Sequence, residues 1–364
     1  MNPFSVRYNS DYFCDRENEL QQLKDNVNNE LNTLIHSYRR LGKSSLIHHL
    51  FNNLEKSGEY ETIYVDLFAG QNLNYLIKSL SENILQKYHY KNILTGITKL
   101  LKGVSPGVNF TMEGYPQLSL NLNESQLEPT LAQLFSYLES RNKKIVIAFD
   151  EFQEVSNYPE KEEAILRTHI QQLKNITFIF SGSSNHLLHD MFFSAKRPFY
   201  QSTEVLVLEK IEKSKYAEFI KVSFQKNKKN IEDDAIEFIL DFTETYTYYT
   251  QVICNHLFYR TKRTLSFLEA HEHTMAYLES RKVDYMNLAM LLSENQKKVA
   301  IAIAKESAIK QISSSDFIHK HKLPGASSVN QSLNALLNKE IVLNTPNGFQ
   351  IYDVFFKRYL EYYY

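Results

Sequence analysis

The sequence predicts an α/β fold: a parallel sheet around a phosphate-binding loop, then a helical stretch, then a C-terminal winged helix. Three observations carry that prediction. Between Leu31 and Leu50, a short apolar run, a Gly-Lys-Ser loop and an apolar-periodic segment follow one another. Further on, the continuous apolar run Lys144-Ile-Val-Ile-Ala-Phe ends on Asp150 and Glu151. After residue 285 the pattern reads as three helices and two short strands around a Pro-Asn-Gly turn.

Bulk properties bound the class. A chain of 364 residues can bury the cores of two or three domains. A net charge of −1 argues against coating nucleic acid by bulk electrostatics, while leaving room for a local basic face. Cys14 and Cys254 lie far apart with no metal-ligand spacing, as expected of a reduced, cytoplasmic chain. No apolar run approaches a membrane span and no signal-peptide pattern opens the chain, so no membrane association is expected.

In chain order, Asp15 is placed to cap a helix whose apolar face is Leu20, Leu23 and Val27. The loop that follows the first strand runs Ser37, Tyr38, Arg39, Arg40, Leu41, Gly42, Lys43, Ser44, Ser45. It fits the phosphate-binding pattern G-x-x-x-x-G-K-[ST] with Ser at its first position. Backbone N–H groups and the helix start behind them would receive a polyanion. Gly42 admits close backbone approach, Lys43 would meet the terminal phosphates, and Ser44 would join a Mg²⁺ shell.

A strand near Thr62–Leu67 and an amphipathic helix over residues 73–88 follow. Residues 103–123 break the rhythm with apolar–polar alternation about a Gly114/Pro116 turn, predicting an inserted β-hairpin. Asp150, at a strand end beside the loop, would hold a water of the Mg²⁺ shell, and Glu151 would activate water for attack on the terminal phosphate. Ile176-Thr-Phe-Ile-Phe-Ser181 is another buried strand. Ser181 is either a phosphate-sensing side chain beside Asp150 or ordinary turn chemistry. Arg197 sits in a basic loop, where a surface charge is the commoner role than an arginine finger.

From Glu212 to about Asp284 the pattern is wholly helical, and Lys226, Lys228 and Lys229 read as a solvated loop between helices. The division expected is a core over 1–211, a helical subdomain over 212–285 and a winged helix-turn-helix over 286–364. The third helix of that last segment presents Ser327, Ser328, Asn330, Gln331 and Asn334, near His319, Lys320, His321 and Lys322. It carries no arginine, which favours protein interaction or packing over DNA reading.

Taken together, these stretches resemble the archaeal-type ATPases, also numerous in Bacteroides-like bacteria, within the STAND branch of the AAA+ superfamily. The matching residues are Asn2-Pro-Phe, Phe13-x-x-Arg16-Glu, Arg39-Arg-Leu-Gly-Lys-Ser-Ser-Leu, Tyr64-Val-Asp-Leu, Ile147-Ala-Phe-Asp-Glu-Phe-Gln, Phe180-Ser-Gly-Ser and Tyr352-Asp-Val-Phe-Phe-Lys-Arg-Tyr-Leu. The chain departs from the family at Tyr38 (Pro in many members), at Tyr200-Gln-Ser (Tyr-Gly-Arg) and at Thr245-Tyr-Thr (Gly-x-Pro). The resemblance implies a five-stranded P-loop core, a helical lid, Phe13 to Arg16 near the adenine, and a switch set by ATP state. The expected protein is a slow Mg²⁺-dependent ATPase with ATP and ADP as ligands. Two alternatives stand beside it: an ATP-dependent DNA-binding regulator, and a scaffold that has lost nucleotide. A protein partner or DNA at the winged helix, and an oligomer, are all compatible with the sequence.

Overall fold

A computed structural model describes residues 2–88, 101, 107–112, 116–183, 185–306 and 308–364. The chain forms two compact units, Arg7–Lys210 and Ile211–Tyr364, the second joined by Met1–Val6.

In the first unit, strands β1 (Thr33–His36), β2 (Tyr60–Asp66), β5 (Lys144–Asp150), β6 (Ile176–Ser181) and β7 (Glu204–Val207) form one sheet in the order β2-β5-β6-β1-β7. Every pairing is parallel, so each return to the sheet needs a crossover. Helices α1 (Glu17–Asn28), α2 (Lys43–Ser57), α3 (Leu73–Tyr88), α4 (Glu124–Glu139), α5 (Glu160–Ile170) and α6 (Asn185–Phe193) supply the helical layers. A sheet covered on both faces explains why Ile145 to Phe149 and Phe178 to Phe180 read as continuous apolar runs, since all are buried. Register brings Asp66 level with Asp150, and Ile35 level with Ser181, at the C-terminal edge. Ligands of open parallel sheets bind at that edge.

Strands β3 (Gly107–Phe110) and β4 (Pro116–Ser119) pair antiparallel where the alternation predicts a hairpin. It docks on α3: Leu118 is buried in the core and its N–H donates to Glu82 Oε1 at 2.6 Å. The expected turn at Gly114 and residues 102–106 lie outside the described residues. The cap expected at Asp15 is not formed there. Asp15 and Arg16 both take left-handed backbone, α1 is capped by Arg16, and no side-chain cap bond is made.

The second unit opens with α7 (Lys213–Lys226), β8 (Asn230–Ile231), α8 (Asp233–Thr243), α9 (Thr247–Arg260), β9 (Thr264–Leu265), α10 (Phe267–Ser280) and α11 (Lys282–Met290). The stretch expected to be wholly helical therefore contains a short parallel ladder, β8 with β9. Two residues per strand are too few to register as a strand pattern. Residues 2–6, which the sequence division places with the core, belong here. Phe4 is buried, with ring centroids 5.6–6.1 Å from Phe219, Phe224 and Phe258. Asn255 Nδ2 donates to Phe4 O and Asn2 Nδ2 to Asn255 O, closing the segment onto α9.

The chain ends in α12 (Glu294–Ala304), α13 (Ser315–Lys320), α14 (Ala326–Asn338), the hairpin β10 (Val342–Thr345) and β11 (Gly348–Ile351), and α15 (Val354–Tyr363). Ser293 and Gln296 form a capping box on α12, and Ser314 caps α13. Gly348 turns the hairpin at φ +122, where an added Cβ would also meet the Ile309 backbone at 2.5 Å. Helix α15 buries Val354, Phe355, Phe356, Tyr359 and Leu360, and Arg358 donates to the last carbonyls of α8, Asp241 O (2.7 Å) and Phe242 O (2.8 Å). Among the described residues, no helix is long and apolar enough to cross a membrane.

Candidate functional site

The loop from Ser37 to Gly42 joins β1 to α2. Its left-handed positions are Arg40 (φ +68) and Gly42 (φ +97); Ser37 is not among them, so the missing first glycine costs no backbone strain. The Ser37 hydroxyl instead donates to Tyr38 O at 2.9 Å, within the loop. Leu41 is buried beneath the loop, while Tyr38, Arg39, Arg40, Gly42, Ser44 and Ser45 are half-buried around its rim.

Lys43 is 6% exposed and its Nζ reaches Tyr38 O (3.2 Å) and Ser37 O (3.5 Å). Burial lowers its pKa; the negative charges of Asp150 and Glu151 oppose that shift, and Arg39 adds to it. A buried ammonium beside a helix N-terminus is suited to receive an anion.

Asp150 is the hub of the sheet edge. Its Oδ2 accepts from Ser44 Oγ (2.6 Å) and Tyr64 OH (2.5 Å), and its Oδ1 from Ser181 Oγ (2.6 Å) and the Glu151 N–H (3.0 Å). Burial of this carboxylate would raise its pKa, but the bonds from Ser181, Ser44, Tyr64 and the Glu151 backbone outweigh it and hold the pKa below the ordinary value. Three strands and the start of α2 thus fix one side chain. Ser44 and Asp150 offer hard oxygen donors, which suit Mg²⁺ completed by phosphate and water. Among the described residues, no group of three or more His, Cys, Asp or Glu is arranged to hold a metal by itself.

Glu151 takes left-handed backbone (φ +54), which turns its side chain away from the strand. Its Oε2 accepts from Gln153 Nε2 (2.6 Å) and Ser183 Oγ (2.7 Å), and Gln153 Oε1 accepts the Ser183 N–H at 3.2 Å. An added Cβ at Gly182 would fall 2.0 Å from Gln153 Oε1, so a larger residue there would push the Gln153 amide off Ser183. The segment 181–183 therefore grips both acids: Ser181 holds Asp150 and Ser183 holds Glu151.

Phe13 stacks on His49 of α2, with centroids 4.0 Å apart and planes 9° from parallel, and Tyr8 OH meets His49 Nδ1 at 3.1 Å. Arg16 is buried and braces the loop: it bonds Glu209 O (2.6 Å), Leu41 O (3.4 Å) and Glu19 (2.7 Å). Arg197 is tied to buried Glu163 at 2.8 Å and to Asp190 at 3.6 Å, which is not the posture of a free arginine finger. Tyr64, Gln153 and Ser183 enter the site without having been singled out. Each lies inside a stretch that carries the family resemblance (Tyr64-Val-Asp-Leu, Asp-Glu-Phe-Gln153, Phe180-Ser-Gly-Ser183), and that is the signal the sequence offers for them.

With this geometry in place, the comparisons are specific. A family model described as an ATPase domain predominantly from Archaea matches residues 13–249, and one described as a probable winged helix domain matches residues 283–362. No curated protein matches the chain. Among solved structures, the Walker-type ATPase paby2304 of Pyrococcus abyssi is similar at 21% identity and a TM-score of 0.66, covering 98% of this chain and 99% of that one. The Aeropyrum pernix ORC2 protein, solved as ADPNP–ADP complexes, matches at 13% identity and a TM-score of 0.64, covering 99% and 97%. The A. pernix ORC1 protein, solved in complex with DNA, matches at 13% and 0.55, covering 96% and 92%. At these identities the structural matches establish the fold.

Proposed function

The chain belongs to the family of ATPase domains found predominantly in Archaea, and from that premise we propose that it binds Mg²⁺-ATP at the loop before α2, hydrolyses it slowly, and switches conformation with nucleotide state. The observation that carries this reading is the convergence of Ser44, Tyr64 and Ser181 on Asp150, beside the buried Lys43.

In this reading, the N–H groups of the loop and the Lys43 ammonium receive the phosphates, and Phe13 borders the base. Ser44 Oγ and Asp150 hold Mg²⁺, which when bound neutralises phosphate charge. Glu151 takes the proton of the attacking water. Slow turnover is supported by the two donors already on Glu151 Oε2, which occupy that oxygen and hold it in place. Ser181, bonded to Asp150, is suited to register the terminal phosphate through that carboxylate. Residues 212–285 serve as the lid and 286–364 as the winged-helix output. ATP binding and turnover, measured beside Lys43→Ala, test the reading: binding is expected in the parent and lost in the variant. A parent that binds no ATP with Mg²⁺ present would leave the chain as an interaction scaffold.

A second reading, nucleotide-dependent DNA binding, draws on the winged helix and on the ORC1 structure solved with DNA. Its supply of charge is thin, because Lys320 and His321 both engage Glu306, at 2.5 and 2.9 Å. If it holds, neutralising Lys320 and Lys322 reduces the salt slope of duplex binding.

A further inference from the structure

We propose that the helical subdomain carries a binding site for single-stranded nucleic acid, built where the short β8–β9 ladder joins two basic segments around an exposed tyrosine. Lys226 ends α7 and Lys228 follows it, while Arg260 ends α9 and Lys262 and Arg263 follow it; all five side chains are exposed. The two segments are distant in sequence and adjacent in space: Asn230 pairs with Thr264, and the Asn230 N–H donates to Arg263 O at 2.7 Å. Tyr259, next to Arg260 in the chain, is 83% exposed, while the neighbouring Phe258 is buried under Lys229 Nζ, 4.2 Å from its ring centroid.

Cations at helix C-termini are ordinarily explained by the helix dipole. That accounts for Lys226 and Arg260, which occupy last turns. Lys228, Lys262 and Arg263 lie outside the helices, and Lys228 holds a left-handed conformation (φ +59) that favours glycine or asparagine. Pairing separates the patch from several lysines of this unit, though Lys298, Lys305, Lys310 and Lys322, which are scattered singly, also lack a carboxylate partner among the described residues. Elsewhere in this unit Lys213, Lys221, Lys282 and Lys357 each meet a carboxylate within 2.9 Å. Among the described residues none of the five patch cations has a carboxylate partner; Arg260 bonds only His256, and Lys229 is spent on Phe258 O. The nearest acids along the chain are engaged: Glu232 by the Phe267 N–H, Asp233 by Lys221 and Glu269 by Ser266.

Unpaired cations on a chain of net charge −1 mark a local site for a polyanion. An exposed aromatic ring among them selects a strand whose bases are free to stack, since a duplex keeps its base faces covered. The charge contacts the sugar–phosphate backbone, so little sequence preference is expected.

The test uses the full chain in EDTA without nucleotide, so that ATPase activity does not enter. Fluorescence anisotropy follows a labelled mixed-sequence single strand and a duplex of equal length across a salt series. The parent is expected to prefer the single strand, with affinity falling steeply as salt rises. Joint substitution Lys226→Gln, Lys228→Gln, Lys262→Gln and Arg263→Gln should weaken binding at least tenfold and shrink the salt slope by roughly two to three. Tyr259→Ala should weaken single-strand binding about tenfold with the slope unchanged. Lys298→Gln with Lys310→Gln, outside the patch, should leave it intact. Circular dichroism checks that each variant is folded. Parent affinity and slope in the folded quadruple variant, equal or tighter binding of duplex, or no binding at low salt would each overturn the proposal.

Discussion

The tip of β5 and the third helix of the winged helix, α14, are both rich in polar side chains, and they are polar in different ways. At the strand tip, Asp150 is buried with four hydrogen bonds from three other segments and from its own neighbour, and every donor points at one carboxylate. On α14, Ser327, Asn330, Gln331 and Asn334 are exposed and diverge, and Ser328 has a single bond to Asn295 at 3.3 Å. Polar groups that converge in a desolvated place are costly unless they do something together. Polar groups that diverge into water cost little and define a contact face at most. The first pattern marks chemistry, and the second marks a surface.

The largest effect expected from this contrast is at the strand tip. Glu151→Gln should keep ATP binding while turnover falls by about 10²- to 10⁴-fold in a steady-state phosphate-release assay. Undiminished turnover would remove Glu151 from the role of base. The winged helix has a half-buried polar cluster of its own. Arg358, bonded to two α8 carbonyls and to Glu361, should destabilise the protein by about 1–3 kcal/mol when changed to Ala, read from denaturant unfolding. Stability equal to the parent's would show that its bonds are replaced by water at no cost. Ser181→Ala removes one of four bonds to Asp150, and a turnover loss of about tenfold with ATP affinity nearly unchanged is expected. A loss of affinity alone would assign Ser181 to ground-state binding.

A smaller effect concerns Lys43. Burial sets its folded pKa below the unfolded value, so between the two values the unfolded chain binds more protons and stability rises with pH. Without nucleotide, the parent should therefore gain stability relative to Lys43→Met as the pH rises toward about 10, the ordinary lysine value. A gap that does not change with pH would mean the ammonium is solvated. The smallest effect is predicted for α14, where Asn330→Ala and Gln331→Ala should each stay within about 0.5 kcal/mol of the parent. A larger loss would make that face part of the packed interior and would break the contrast.

Much of the core was legible because its signals are local. Apolar runs with the right length mark β5 and β6, and the Gly-Lys-Ser and Asp-Glu positions mark where chemistry meets the sheet edge. The helix over residues 73–88 and the strand over 144–150 need no more than periodicity and their polar ends. The partners of Tyr64, Gln153 and Ser183 were not legible, although each lies in a stretch that matches the family. Tyr64 reaches Asp150 only through the seven-residue register of β2 on β5, and Ser183 meets Glu151 only because Glu151 takes left-handed backbone. Asp15 shows the reverse failure: a good capping residue by type, it is overruled by a turn that places Arg16 at the cap and draws its guanidinium to Leu41 and Glu209.

What the sequence determined alone is therefore the class of fold, the phosphate loop and the residue types that face it, because backbone propensity, periodicity and motif spacing act over a few residues. The tertiary structure decided which donors meet which acceptor: four on Asp150, two on Glu151, Phe4 in the second unit, and two basic segments side by side at β8 and β9. Most of those meetings join segments far apart in the chain, and their energies exist only once strand register and helix packing have brought the partners within hydrogen-bond reach.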